Sequence, residues 1–222
     1  MEKLRLVIFD VDGTLIKVDS SWRFLHEKLG TWAKGRQYAE LFFQGKITYE
    51  EWAQLDASLW KNQPIRKVQQ IVNAIPYVDG AKDLIETLKK HDVKVALLSA
   101  GLSLLGERIE RELDINYSLS NELIVKDKLL TGEVRVNVAL NNKEQNLNHI
   151  LHKFSISPNE CCAVGDDESL IPIFKKVALG IAFNPYSREV ERNADVVVKS
   201  KDLRDILPHV LKKQHLSRNI TQ

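Results

Sequence analysis

Four consecutive apolar residues, Leu6 to Phe9, run straight into Asp10-Val11-Asp12-Gly13-Thr14. That junction constrains the fold more than any other stretch of the chain. A short, unbroken apolar run suits a strand buried on both faces of a parallel sheet. Asp10 then stands at the strand's carboxyl end, the edge at which open α/β sheets bind ligands. Asp12 follows two residues on. Gly13 permits a turn that brings the backbone close to a ligand, and Thr14 offers a hydroxyl or an amide to a phosphate oxygen. An ordinary Asp/Gly turn accounts for the same letters when they stand alone, so the reading depends on what later segments bring to this edge.

Apolar runs recur at 93–98, 161–164, 179–183 and 196–198, alternating with helical spacing at 101–113, 143–153, 169–176 and 203–211. Leu123 to Val125 and Val134 to Val136 flank a turn region at 126–132 and read as a hairpin. Strands alternating with helices imply right-handed crossovers and a doubly wound parallel sheet, a Rossmann-like α/β fold. Residues 19–77 differ, showing only helical spacing through Trp22, Leu25 and Leu29 and again through Trp52, Leu55 and Leu59. The expected organisation is an α/β core of residues 1–18 and 77–222 with an inserted helical cap of residues 19–76. The insertion leaves the sheet at its ligand-binding edge and is placed to return over it as a lid. Trp22, Trp32, Trp52 and Trp60 all fall within it; most are expected to build the core of the bundle, with one or two facing the cleft.

Three later segments carry polar groups to the same edge. Ser99-Ala100-Gly101 ends the run at 93–98, where a hydroxyl and the following amides suit a phosphate, although Ser99 serves equally as a helix cap. Lys143 opens a helix, where its charge opposes the macrodipole; neutralising a phosphate is one explanation, solvent exposure another. Asp166-Asp167-Glu168 closes the run at 161–164 with three acids in succession, more than turn chemistry usually asks for. If Asp10, Asp12 and Asp166 meet, each pair of charges about 4 Å apart repels by roughly 4 kcal/mol at a surface-like dielectric. A divalent ion removes that cost, and an all-oxygen ligand set favours magnesium over zinc.

Composition narrows the partners. A formal net charge of +2 over 222 residues gives no basic field for nucleic acid, and the basic Lys212-Lys213-Gln214-His215 is adequately explained as a solvated end. No apolar stretch approaches the roughly 20 residues of a membrane span, and Met1-Glu2-Lys3 is not a secretion signal, so a cytoplasmic protein is expected. Cys161 and Cys162 are adjacent within an apolar run and read as small buried hydrophobes. Asn219-Ile220-Thr221 matches a glycosylation acceptor, a coincidence without a secretion signal.

In the order Phe9-Asp10-Val11-Asp12-Gly13-Thr14-Leu15, Leu97-Leu98-Ser99-Ala100-Gly101, Lys143-Glu144 and Val164-Gly165-Asp166-Asp167, the chain resembles the haloacid dehalogenase superfamily, phosphoserine phosphatase-like branch. The likeness spans nearly the whole chain, including the helical cap and the stretch Asn121 to Asp127. It implies that Asp10 is a nucleophile forming an aspartyl-phosphate and that Asp12 is the general acid and base. It further implies that Ser99 and Lys143 hold the phosphoryl group, helped by Gly13, Thr14, Ala100 and Gly101, and that Asp10, the Asp12 carbonyl and Asp166 bind Mg2+, with Asp167 nearby. The expected substrate is a small phosphorylated metabolite. Three departures qualify it. Leu170 replaces the last acid of the family's fourth motif, which Asp167 or Glu168 would have to offset. Asp56 aligns with an arginine that holds the substrate carboxylate, and Asp19 with a glutamate. An acid at position 56 repels a carboxylate, so phosphoserine is disfavoured as substrate. A phospho-ligand-binding protein with weakened turnover and a phosphotransferase are the rival expectations.

Overall fold

The computed structural model describes residues 3–216, with side chains as far as residue 212. The glycosylation-like Asn219 to Thr221 and the side chains of Lys213 to His215 lie outside it. β1 (Leu6–Phe9) is completely buried because both of its faces are covered. Val7 and Phe9 enter one apolar cluster, while Leu6 and Ile8 enter another, which is the period-two alternation of a strand between two layers.

Four helices follow β1: α1 (Ser21–Leu29), α2 (Trp32–Phe43), α3 (Tyr49–Ser58) and α4 (Ile65–Asn73). Local sequence sets their ends. The Ser20 side chain accepts from Arg23 N, and Thr48 and Glu51 form a reciprocal capping box. Gly30 closes α1 with a φ of 72°, a left-handed conformation that glycine adopts freely. The segments entering and leaving these helices pair with each other through Lys17 N to Pro76 O and Val78 N to Leu15 O, both 2.9 Å.

Downstream come α5 (Ala81–Lys90), β2 (Lys94–Leu102), α6 (Ser103–Leu113), β3 (Tyr117–Lys126), β4 (Leu129–Arg135), α7 (Lys143–Phe154), β5 (Cys161–Gly165), α8 (Ile171–Phe174), β6 (Leu179–Phe183), α9 (Arg188–Asn193), β7 (Val196–Val198) and α10 (Leu207–Leu216). The strands form one sheet in the order β4-β3-β2-β1-β5-β6-β7, parallel throughout except for β3 with β4. From β1 the chain first builds outward through β2 and β3, then returns to add β5, β6 and β7 on the other side. The reversal leaves a crevice at the carboxyl ends of β1, β2 and β5, the point where such sheets take ligands.

Several boundaries differ from the sequence expectation. β2 continues through Ser99, Ala100 and Gly101, so α6 starts at Ser103 rather than 101. The hairpin turn is only Asp127 and Lys128, both at positive φ, and 129–132 belongs to β4. The segment 169–176 is a 3-10 turn (Glu168–Leu170) followed by the four-residue α8, which carries Pro172 in its first turn. A 3-10 turn over Leu203–Ile206 likewise precedes α10. Both α5 and α9 are additional elements. The outer edge of β4 is covered from the helical segment by Asn62 N to Leu130 O, Leu130 N to Gln63 O and Gln54 Nε2 to Gly132 O, which removes an edge open to pairing with another chain.

Candidate active site

The backbone after β1 turns at once, and its own groups orient the first acid. Asp10 Oδ1 accepts from Val11 N at 2.8 Å, while Oδ2 accepts from Lys143 Nζ at 2.6 Å. Gly13 has a φ of 72°, and a Cβ there would stand 2.1 Å from Asp166 Oδ2. Only glycine fits beneath that carboxylate. Thr14 Oγ1 donates to Asp166 Oδ1 at 2.9 Å, so its hydroxyl orients an acid rather than standing free for a phosphate.

Asp12 points elsewhere. Its Oδ2 accepts from both Ser21 N and Ser21 Oγ at 2.8 Å, at the first residue of α1, and Oδ1 is buried without a hydrogen-bond partner. A Cβ on Gly101 would lie 2.7 Å from Ser21 Oγ, 3.0 Å from Ser99 Oγ and 3.1 Å from Asp12 Oδ2, so these groups surround one small space. Ser99 Oγ accepts from Gly101 N at 2.9 Å. The Ala100 carbonyl, next in line, receives Trp22 Nε1, Tyr49 Oη and Asn121 Nδ2.

At the exit of β5, Asp166 leans over the 10–14 turn. Asp167 Oδ1 accepts from Ser169 N at 2.9 Å and from the Ser169 hydroxyl, and its charge acts on Asp10, Lys143 and Asp166. Glu168 is exposed. Leu170 is fully buried and packs against Gly165 beside Asp10, so this wall of the site is apolar.

The electrostatics follow from crowding acids in a dry place. Burial pushes Asp166 up to about 8, with Asp10 and Asp167 adding repulsion, and pushes Asp12 up to about 6 against the two Ser21 donors. Burial also raises Asp10, opposed by Lys143. Desolvation disfavours the Lys143 ammonium, but the attraction of Asp10 and Asp167 outweighs it and holds the lysine charged. Among the described residues no three His, Cys, Asp or Glu side chains surround a common metal position. Two carboxylates that could hold a metal, Asp10 and Asp166, act on each other here. Three acids facing one lysine leave negative charge that a hard cation would balance.

The structure therefore gathers Asp10, Asp12, Gly13, Thr14, Ser99, Ala100, Gly101, Lys143, Asp166 and Asp167 at one crevice. Asp19 is exposed at the start of the helical segment. Asp56 is buried inside that segment, where burial raises its pKa, and its Oδ1 lies 3.2 Å from His26 Nε2, so the carboxyl faces a histidine within the bundle. Ser21 and Tyr49 are contacts that no motif announced, the place of Ser21 at the start of a predicted helix being the one cue; Asn121 opens a stretch of the family likeness that carried no role, and Trp22 is one of the tryptophans of which one or two are expected to face the cleft.

A family model described as haloacid dehalogenase-like hydrolase matches residues 7–175. The chain belongs to that family. Within the haloacid dehalogenase-like hydrolases it is similar to a phosphoserine phosphatase of Methanocaldococcus jannaschii, 32% identical over 94% of this chain and 99% of that protein. A phosphoserine phosphatase of Archaeoglobus fulgidus is 30% identical over 90% of this chain and 58% of its own length. Among solved structures, a phospho-aspartyl intermediate analogue of phosphoserine phosphatase superposes with a TM-score of 0.81 at 31% identity, covering 94% of this chain and all of that one. A substrate-bound phosphoserine phosphatase complex gives the same TM-score at 30% identity. The doubly wound α/β fold is thus the fold of these enzymes.

Proposed function

We propose that this hydrolase is a magnesium-dependent phosphatase of small phosphomonoesters, working through an aspartyl-phosphate on Asp10. The observation that carries the reading is the convergence of Asp10, Lys143 and Asp166 on the switch-point crevice, with a separate, Ser21-held Asp12 beside them. In the first half-reaction an Asp10 oxygen forms a bond to phosphorus as the ester P–O bond breaks, and Asp12, protonated, gives its proton to the departing oxygen. In the second, Asp12 takes a proton from water, whose oxygen bonds to phosphorus and releases the Asp10 carboxylate and inorganic phosphate. A carboxyl poised near 6 serves both directions of proton transfer. Lys143 and the amides near Ser99 stabilise charge on the transferred group. Asp10, Asp166 and the Asp12 carbonyl would hold Mg2+, which when bound shields the nucleophile from the phosphate dianion.

Residues 19–76 act as the cap in this reading, closing over the crevice and excluding water. Because Asp56 is spent on His26, the preferred leaving group lacks a carboxylate beside the ester. A panel of phosphomonoesters assayed with and without Mg2+ tests both parts. Turnover that needs the metal and is poor on phosphoserine is expected; strong, selective phosphoserine hydrolysis would overturn the leaving-group assignment, and no turnover of any ester would overturn the enzymatic one.

One observation favours a second reading, a phospho-ligand-binding protein with weakened turnover. Leu170 is fully buried at the wall beside Asp10, and lost outer support of a metal commonly costs about 10–100-fold in affinity or activity. A phosphate-dependent rise in melting temperature with no hydrolysis would favour it.

A further inference from the structure

Asn121 lies on β3 beside the stretch of β2 where the ladder loses its register, between Leu98 and Leu102. There three side-chain donors converge on the Ala100 carbonyl: Asn121 Nδ2 at 2.8 Å, Tyr49 Oη at 2.8 Å and Trp22 Nε1 at 3.0 Å. The same Asn121 amide donates to Val138 O at 2.8 Å and reaches Tyr49 Oη at 3.2 Å. Its Oδ1 accepts from Asn137 N and Val138 N, both at 2.9 Å. Asn121 is completely buried, and every donor and acceptor of its side chain is engaged. The amide can therefore sit only one way round.

Those partners belong to three different parts of the site. Ala100 sits between Ser99 and Gly101 near the end of β2, where the bond from Gly101 N to Ser99 Oγ makes a local side-chain turn. Residues 137 and 138 begin the segment that reaches α7, whose first residue is Lys143, and the Asn142 side chain continues the brace through its bond from Ala139 N at 2.7 Å. Tyr49 opens α3. We propose that Asn121 is a positioning residue of the reaction: one side chain fixes the Ser99 turn and the approach to Lys143 together, and registers the helical segment against them through Tyr49. The proposal rests on the phosphatase reading only in taking the Ser99 turn and Lys143 as the groups that hold phosphate. Trp22 and Tyr49 reach the carbonyl from the cap, so their bonds report cap closure, whereas the Asn121 bonds to Ala100, Asn137 and Val138 lie within the core and persist when the cap moves.

Asn121→Asp keeps the size of the side chain but removes both amide donors, setting an acceptor against the Ala100 and Val138 carbonyls. A shift of the order of 1 Å in a positioned group is enough to cost about 100-fold in rate. The expected outcome is a fall of about that size in kcat, with at least about tenfold weaker inhibition by inorganic phosphate, in a protein whose circular dichroism and assay-temperature folding match the wild type. A variant that loses melting temperature but keeps kcat and the phosphate inhibition constant within about twofold would make Asn121 merely structural and overturn the proposal. Tyr49→Phe with Trp22→Phe removes the two cap donors and the long bond from Asn121 to Tyr49, leaves the Asn121 bonds to Ala100, Asn137 and Val138, and does not depend on the Asn121 variant folding. It should raise KM for the metabolite while the phosphate inhibition constant stays within about twofold. Equally weakened phosphate binding there would mean that the cap, not Asn121, sets the turn, and would overturn the proposal. A wild-type protein that neither hydrolyses phosphomonoesters nor gains melting temperature from phosphate would overturn the phosphatase reading and this inference with it; an active wild type beside an unimpaired Asn121→Asp would sink this inference alone.

Discussion

Lys143 Nζ lies 2.6 Å from Asp10 Oδ2, two side chains 133 residues apart in sequence and both nearly closed to solvent. The contact explains a lysine at a helix N-terminus, where the macrodipole alone disfavours it: the charge is there for the acid opposite. Removing one member strands the other. Lys143→Met should destabilise the protein by about 3–5 kcal/mol, the usual result of breaking a buried pair. Asp10→Asn with Lys143→Met should recover much of that stability while remaining inactive and forming no acid-labile phosphoenzyme. Denaturant unfolding of the three variants, with radiolabel trapping of the intermediate, checks both halves. Turnover by pure Asp10→Asn would remove the nucleophile assignment.

Ser21 supplies both hydrogen bonds to Asp12 Oδ2, one from its amide and one from its hydroxyl. The hydroxyl favours the ionised acid, so deleting it leaves burial less opposed and raises the Asp12 pKa above about 6. Protonated Asp12 is required to expel the leaving group, so kcat/KM should fall at high pH. In Ser21→Ala that falling limb should move to higher pH. A limb that stays in place or moves lower would separate Asp12 from the step.

How much of this was legible in the chain depends on whether the information is local. The strands were readable because apolar runs such as Leu6 to Phe9 and Leu179 to Phe183 are bounded by polar turns, and the motif acids were readable because each follows such a run. α5 is not among the expected helices, although Ala81, Leu84, Ile85 and Leu88 form a buried helical stripe. α9 is six mostly polar residues and offers no period to detect. The hairpin turn is shorter than its sequence suggests because Asp127 and Lys128 take left-handed backbone without the glycine that usually announces it, while Gly132, the glycine nearby, belongs to β4. Asn121, Tyr49 and Trp22 meet on Ala100 from three segments, and no sequence spacing encodes a junction of that kind. Asp56 shows the opposite limit, since alignment located the position but not its partner, His26, thirty residues earlier in the fold's helical segment.

The folded Asp166 carboxyl titrates at about 8, far above the ordinary value of 3.8. In the absence of a divalent cation the folded form then keeps a proton that the unfolded chain has already released. The stability this carboxyl contributes is complete below about pH 4 and is lost as pH rises toward 8. Mg2+ competes with that proton for the site. Melting temperature without metal should therefore drop between pH 5 and pH 8, roughly the interval between the two pKa values, and added Mg2+ should raise it far more at the upper end. Equal Mg2+ effects at both ends would contradict a cation bound at Asp166.

Arg108 is buried and donates to Val72 O at 3.0 Å and to Ile75 O at 2.7 Å, main-chain groups at the end of α4. Its guanidinium also stands 4.8 Å from the Tyr77 ring, at the exit of the helical segment. Arg108→Met keeps much of the packing but removes the guanidinium donor from the Ile75 carbonyl, while Val72 O keeps its bond from Ile75 N. At about 1–3 kcal/mol for each buried group left unsatisfied, and about 2–4 °C per kcal/mol for a protein of this size, a loss of several degrees in Tm is expected. A calorimetric Tm unchanged from wild type would show that water replaces the arginine at no cost.

Asp56 and His26 form their pair inside an aromatic interior: the Trp60 ring lies 4.6 Å from the His26 ring and 5.5 Å from that of Trp22. Space that a long basic side chain would need at this position is filled by those rings. Asp56→Arg should therefore not create a carboxylate subsite. It sets a cation against His26 and overpacks the bundle, and overpacking alone costs about 1–3 kcal/mol. The expected result is a lower melting temperature with no gain in kcat/KM for phosphoserine over a phosphomonoester lacking a carboxylate. A selective gain of about tenfold or more, equivalent to roughly 1.4 kcal/mol of transition-state binding, would show that the cleft already accommodates the serine backbone and that one charge excludes it. In that case the aromatic packing, rather than the acid, would have been wrongly credited with the choice of leaving group.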